Sequence, residues 1–504
     1  GGCASSDRSG LRRKPDLRFE PTAPHTPMKS DFVTSLRRAL GDDKVKTGRV
    51  EIGLYSHDAS NMVGSAGVVC FPDSTDEVVR IVRICAEHGR AFVVRGAGTG
   101  LAGGATPADD ACVISMIRMD SIESVDTSNR TAWVGPGVLN LDLSRSVAGL
   151  EPHYGLHFAP DPSSQQSCTI GGNVGNNSGG PHCLAEGVTS SHVVALEVVL
   201  SDGTVHIIGG EEAEPPGLDL RGAFVGSEGM FGVVTRICVR LTPNPPHVRT
   251  MLFDYLDVAD GAATVSAIIA AGMVPDALEM MDQLCIRAVE DYVHAGLPTD
   301  AGAVLLVEVS GLQYQVEHDT DRIVAIAQAH GCRTVRHACS EEERALLWKG
   351  RKTAFGAVAR IKPNYYLHDT VVPRRRLPEV LEQIYRIVAD LDLLVMNVFH
   401  AGDGNLHPLV VFDKREPGVL ERVHEAGRRI VEVSVAAGGV LSGEHGIGLE
   451  KREYMPLMFD DVDLASQSAL RRAFDPLGLA NPSKVLPAPS GCGDSAVIAD
   501  GAWI

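Results

Sequence analysis

The stretch Arg95-Gly-Ala-Gly-Thr-Gly-Leu-Ala-Gly-Gly104 decides how this chain is read. It holds a literal G-x-G-x-x-G at Gly98, Gly100 and Gly103, after a run at Ala91–Arg95 that reads as a strand. Asp120 at the end of the next strand completes the outline of a dinucleotide loop. That reading also needs a crossover helix of about a dozen residues after the glycines. Only Ala105-Thr-Pro-Ala-Asp-Asp110 intervenes, with Pro107 inside it, so no helix is available and an NAD site is set aside. The glycines then form a strand–loop–strand turn rich in unblocked N–H groups, a nest that suits a pyrophosphate. Taken alone, a glycine-rich surface turn reads the same way.

Two further segments change that balance. Gly171-Gly-Asn-Val-Gly-Asn-Asn-Ser-Gly-Gly180 is almost wholly Gly and Asn, which disfavour helix and strand, so irregular backbone is expected. Gly226-Ser-Glu-Gly-Met-Phe-Gly232 precedes a strand in the same half of the chain. Three loops stripped of side-chain bulk favour one large planar ligand over three unrelated turns.

Around them the organisation is that of an ordinary folded protein. The 504 residues are 44% hydrophobic and 22% charged, enough for several domains and incompatible with disorder throughout. Lys and Arg number 46 against 64 Asp and Glu, a balance of −18 that gives no footprint for nucleic acid. No run of 18 apolar residues offers a transmembrane segment. Eleven scattered cysteines without a C-x-x-C point to a reducing compartment, so a cytoplasmic location is expected, with membrane association only through partners. Ser74-Thr-Asp-Glu77 reads as a capping box for a helix carrying Val78, Ile81, Val82 and Cys85. Asp202-Gly203 reads as a hairpin turn between Val193–Leu200 and Thr204–Ile208, and Gly232–Leu241 as a further strand. Thr242-Pro-Asn-Pro-Pro246 is the clearest domain boundary. Helices are expected at Pro378–Asp390 and Leu420–Val435.

The second half carries Asn397-Val-Phe-His-Ala-Gly-Asp-Gly-Asn-Leu-His407. Leu393–Phe399 and Pro408–Phe412 read as paired strands, which sets His400 and His407 across the mouth of a hairpin, a polar cross-strand pair or two ligands of a transition metal. Glu444-His445, between glycines, adds a carboxylate and an imidazole able to reach one small ligand.

In its first half, with Phe71-Pro, Val94-Arg-Gly-Ala-Gly-Thr-Gly, Pro160-Asp-Pro, Thr169-Ile-Gly-Gly-Asn and Gly226-Ser-Glu-Gly-Met-Phe-Gly, the chain resembles the vanillyl-alcohol-oxidase (PCMH-type) FAD domain. The resemblance implies pyrophosphate contacts from Arg95, Gly96, Ala97, Gly98, Thr99, Gly100 and Leu101. It implies further cofactor contacts from Pro160, Asp161, Thr169, Gly171, Gly172, Glu228, Val233 and Asn481. In its second half, Leu347-Trp-Lys-Gly-Arg351, Asn364-Tyr-Tyr-Leu-His-Asp369 and Phe474-Asp-Pro-Leu-Gly-Leu-Ala-Asn481 resemble the C-terminal domain of FAD-linked 2-hydroxyacid oxidising enzymes. Within that family the likeness is greatest to bacterial glycolate-oxidase flavoprotein subunits.

The fold so implied is α+β: a PCMH-type FAD-binding domain followed by an FAD-linked oxidase C-terminal α/β substrate domain. The expected divisions are a leader at 1–29, the FAD domain at 30–241, a substrate domain at 242–435, a segment returning to the flavin at 436–487 and a tail at 488–504. The implied reaction is FAD-dependent oxidation of glycolate or D-lactate to the 2-oxoacid by hydride transfer to flavin N5. FAD is expected to be noncovalent, and one divalent zinc, manganese or iron ion to sit on His400, His407 and Glu444. His445 is the expected base and Arg351 the carboxylate clamp. Iron–sulfur and second flavin-type companion subunits are the implied electron acceptors. Leu367 and Leu409 replace a Lys and an Asn typical of the hydroxyglutarate-oxidising branch, which argues against a long dicarboxylate. A D-2-hydroxyglutarate dehydrogenase, a flavin-free metallohydrolase and a non-catalytic flavoprotein subunit remain as alternatives.

Overall fold

The computed structural model describes residues 29–60, 62–150, 155–211 and 217–487. The expected leader, apart from Lys29, and the tail at 488–504 lie outside the described residues. Three larger sheets and one two-stranded pair organise the described residues. Val45–Lys46, Ala66–Cys70, Ala111–Ser115 and Phe92–Arg95 lie in that order in a small sheet. A five-stranded antiparallel sheet orders Ile122–Asp126, Thr131–Val134, Val233–Arg240, Val193–Val199 and Val205–Gly209. A nine-stranded antiparallel sheet begins at His247–Tyr255 and includes Ala277–Asp282, Ala303–Gly311, Leu394–His400 and Pro408–Phe412. At the expected boundary, Thr242-Pro243 still pairs with Leu156-His157 of the first half.

Local patterns account for most of these elements. Val78, Ile81, Val82 and Cys85 are fully buried on one face of the Thr75–Glu87 helix. The Asp202-Gly203 hairpin forms with Gly203 in the left-handed region, φ +78°. The expected capping box does not form: Ser74 makes no side-chain cap. Glu77 turns instead to the Lys44 ammonium at 2.7 Å and accepts the Asp73 N–H at 3.0 Å, since a charge-assisted bond outcompetes a neutral cap.

Two glycine segments differ from expectation. Phe92–Arg95 and Ala111–Ser115 are parallel neighbours, so the loop between them is a helix-free crossover rather than a simple turn. The Asp58 carboxylate, accepting the Ala105 N–H, and the Asn481 amide, donating to the Gly104 carbonyl, hold that crossover in place of a helix. The second segment is not irregular at its start: Ile170–Asn176 is an α-helix, capped by Thr169 and closed by left-handed Asn177. Three glycine-sized propensity penalties, each about 1 kcal/mol, are outweighed by tertiary packing. Ile170 and Val174 are fully buried, Asn140 donates to Asn173, and Gly171 lies so close to Pro136 that a Cβ would come within 2.6 Å of the proline Cβ.

A half-buried polar clasp joins the halves. His182 sits between Asp161 at 2.9 Å and Glu308 at 3.3 Å, its ring against Trp348. Lys352 reaches Asp161, while Arg344 and Trp348 donate to Glu308. The chain beyond Ala436 returns to the first half: Leu449 bonds Ala102, Asn481 bonds Phe92, and Phe474 stacks on Phe231. Among the described residues no helix is long and apolar enough to cross a membrane.

Burial alone would depress the His182 pKa, but the Asp161 and Glu308 carboxylates outweigh it and push the imidazole up to about 10. A raised folded-state pKa gives stability that is complete below the ordinary value of 6.5 and fades as pH rises through about 10. Thermal midpoints measured from pH 6.5 to 10 should therefore decline in the wild type. His182→Gln should start lower and lose most of that slope.

Candidate active site

Between the halves lies a cavity of about 490 Å³. One wall is nearly bare main chain from Gly96–Leu101 and Gly171–Asn176, joined by Glu228 and Gly229. At one end the second half contributes Lys352, Phe355, Tyr365, Leu367, Glu444 and His445. Of the expected cofactor residues, Gly96, Ala97, Gly98, Thr99, Gly100, Leu101, Thr169, Gly171, Gly172 and Glu228 line this space. The other five support the wall from behind. Arg95 folds behind Gly98, donating to the His57 carbonyl at 2.6 Å with its guanidinium over Tyr55. The Pro160 carbonyl accepts from Asn140, Asp161 is engaged by His182 and Lys352, and Val233 is fully buried in its ladder. Asn481 spends its amide on the Gly104 and Glu228 carbonyls.

These walls fit a large flat cofactor. They offer backbone rather than side chains, and the volume is that of a ligand site. Buried Glu228 has one oxygen bonded to the Ile447 and Gly448 amides and the other, Oε2, without a partner.

At the far end the histidines converge. His400 ends the Leu394–His400 strand, and the reversal through Gly404, φ +74°, brings His407 to 5.1 Å ring to ring. Glu444 Oε1 lies 3.3 Å from Nε2 of each imidazole. Both ring nitrogens of buried His407 lack a hydrogen-bond partner, although buried polar atoms are rarely left so. One ligand atom from each of His400, His407 and Glu444 fits within 4.8 Å, a set suited to a divalent ion. Asp369, His407 and His445 form a second such grouping. The Asp369 oxygens, however, already accept from Ser442, three backbone amides and Lys451, which favours the first set.

Carboxylates set the electrostatics. Glu279, buried in the Ala277–Asp282 strand, accepts from His400 Nδ1 at 2.8 Å and pairs with Arg351 at 2.5 Å. Burial disfavours a charged His400, but Glu279 on one side and Glu444 on the other push it up to about 10. The pair of carboxylates thus calls for positive charge between them, from a proton or from a metal. Arg351 is 1% exposed, with Nε and Nη1 unpartnered and Nη2 3.4 Å from His400. His445 stacks on His407 at 5.0 Å, and burial pushes its pKa down to about 4, leaving a neutral imidazole. Glu279 is absent from the sequence expectations; its one signal is an acid set among the apolar residues Ala277, Leu278, Met280 and Met281, in a strand that ends on a second acid, Asp282.

The fold and this cavity define a flavoprotein of the FAD-linked oxidase class. The family model described as "FAD linked oxidases, C-terminal domain" matches residues 244–485, and that of an "FAD binding domain" matches 66–209. The chain belongs to the FAD-linked oxidase family and binds FAD. It is 46% identical to the glycolate oxidase subunit GlcD of Escherichia coli (strain K12), over 85% of each chain. It is 29% identical to a D-lactate dehydrogenase of Anaerostipes hadrus, over 86% of this chain and 92% of that one. A crystal structure of p-cresol methylhydroxylase shares the fold at TM-score 0.76 and 16% identity, covering 90% of this chain and 96% of that one.

Because Gly171 abuts Pro136, Gly171→Ala should destabilise the FAD-free protein by about 1–3 kcal/mol through overpacking. It should also weaken FAD retention, read by flavin absorbance after gel filtration. Gly149→Ala, where a Cβ meets nothing within 4 Å, should change neither.

Proposed function

We propose that this chain oxidises a small 2-hydroxyacid, glycolate or D-lactate, to the 2-oxoacid, with FAD held noncovalently and one divalent ion on His400, His407 and Glu444. The single observation that carries the reading is buried His407, whose Nδ1 has no partner and whose Nε2 faces Glu444 at 3.3 Å without an aligned hydrogen bond, beside His400 at the end of the glycine-walled cavity. The relatives named glycolate oxidase subunit GlcD and D-lactate dehydrogenase support the substrate class.

When bound, FAD supplies the two-electron acceptor and the ion supplies positive charge beside the substrate hydroxyl. The chain's own residues supply orientation and proton transfer. Arg351, held by Glu279, has two unpartnered nitrogens, Nε and Nη1, to donate to the substrate carboxylate. Neutral His445 takes the hydroxyl proton, as a general base contributing on the order of 10²–10⁴ in rate. Glu279 accepts from His400 Nδ1 and so leaves Nε2 free as a ligand.

A small substrate is favoured by one ladder. Leu367 and Leu409, the two positions that differ from the hydroxyglutarate-oxidising branch, are direct cross-strand partners, and Leu367 lines the cavity beside Phe355 and Tyr365. Leu367, Phe355 and Tyr365 make this stretch of the lining apolar, and Lys352, the one lysine among the lining residues, is already paired with Asp161 at 3.1 Å. Electrons pass on to a companion protein, for which the GlcD relative's description as a subunit is the support.

His445→Asn should retain FAD and metal while anaerobic flavin reduction slows by at least ~100-fold. His400→Asn should lose the metal with the activity. Metal-free His445→Asn, or its normal reduction rate, would reject the assignment. Leu367→Lys at the cavity wall, combined with Leu409→Asn behind it on the paired strand, should shift preference toward D-2-hydroxyglutarate, and an unchanged profile across glycolate, both lactates and that diacid would overturn the specificity reading.

A further inference from the structure

The Ser442–Gly448 turn carries both Glu444 and His445, yet glycines at 443, 446 and 448 leave it little stiffness of its own, with Gly446 and Gly448 at φ +87° and +53°. What fixes it lies elsewhere in the chain. Asp369, fully buried just past the Asn364–Leu367 strand, accepts from Ser442 Oγ at 2.5 Å, Gly443 N at 3.0 Å, Glu444 N at 3.3 Å and His445 N at 3.0 Å. The Ser442 hydroxyl oxygen in turn accepts the Gly446 N–H at 3.0 Å. Lys451, 3% exposed, supplies the counter-charge at 3.1 Å. These bonds aim successive N–H groups at one anion, as a backbone nest does, except that here the anion belongs to the protein.

We propose that Asp369 is the positioning residue of the reaction site: its carboxylate sets the 442–446 turn so that Glu444 faces His400 and His407 while His445 stacks on His407. The proposal rests on the metal-assisted reading above. It differs from a general structural role because the far side of the turn is held independently, with Ile447 and Gly448 donating to Glu228 at 2.7 and 3.1 Å. Loss of Asp369 therefore frees Glu444 and His445 without releasing the wall of the cofactor cavity. An amide replaces the carboxylate only in part. With its oxygen turned to the Oδ2 position it still meets the Ser442 hydroxyl and the Glu444 and His445 amides, but it brings no charge to offset Lys451, and its nitrogen faces the Gly443 N–H that Oδ1 accepts.

The test compares FAD-loaded wild type with Asp369→Asn, with Asp369→Asn combined with Lys451→Met, and with Ser442→Ala. Each protein is scored for FAD content, for Mn²⁺ affinity after demetallation, and for anaerobic flavin reduction by glycolate and D-lactate. All four should hold FAD stoichiometrically. Both Asp369 variants should bind Mn²⁺ about 10–100-fold more weakly, and at saturating metal should lose kcat by a similar factor with KM nearly unchanged. Ser442→Ala should move the same way by less. Full recovery in the double variant would show that Asp369 merely neutralises Lys451 and would overturn the proposal, as would wild-type Mn²⁺ affinity and rate in Asp369→Asn. Where Asp369→Asn alone fails to fold, the double variant and Ser442→Ala decide. Wild-type turnover that survives complete demetallation would instead defeat the metal reading. Asp369 would then stand or fall on the reduction rate, through His445 alone.

Discussion

Two buried carboxylates grip one glycine-rich turn from opposite sides, and much of the site depends on that grip. Asp369 takes the N–H groups of residues 443–445, and Glu228 takes those of 447 and 448. Buried amides need acceptors and buried carboxylates need donors, so each satisfies the other where neither has water. Glu228 belongs to the first half and Asp369 to the second, so the turn also links the halves of the molecule beside the cavity. Removing either partner would leave buried polar groups exposed to the full penalty of desolvation.

The same economy of charge governs the histidines. Glu279 and Glu444 flank His400, Arg351 rests on Glu279, and His445 lies between Glu444 and Asp369. In so little water these groups cannot ionise independently. Burial keeps His445 neutral while the flanking acids favour a cation at His400. Two imidazoles of one cluster, His445 and His400, thus favour opposite states, one suited to accepting a proton and the other to a positive neighbour. Unlike surroundings separate the two roles, a division the residue types alone do not make.

The glycine segments show how far composition carries. In isolation, Gly and Asn repel regular structure, yet Ile170–Asn176 is helical because Thr169 caps it, Asn140 bonds into it and Pro136 leaves room for no Cβ at Gly171. The first loop crosses between parallel strands without a helix because Asp58 and Asn481 supply its hydrogen bonds from distant points in the chain. Likewise the Ser74 cap gives way to Lys44, whose charge draws Glu77 off the helix start. In each case a local preference of about a kilocalorie yields to packing or charge from elsewhere.

The sequence by itself determined what depends on neighbours along the chain. The glycine loops, the amphipathic Thr75–Glu87 helix, the Asp202-Gly203 hairpin and the reversal that faces His400 with His407 all follow from short-range spacing. Only the tertiary structure decided which carboxylates serve those histidines. Glu279 is 121 residues from His400, and Asp369 is 76 residues from His445. Only the folded chain separates the residues that line the cavity from those, such as Arg95, Asp161 and Asn481, that stand behind it. The physical reason is that burial and hydrogen-bond partnership are properties of the packed chain, and spacing along the sequence carries no record of them.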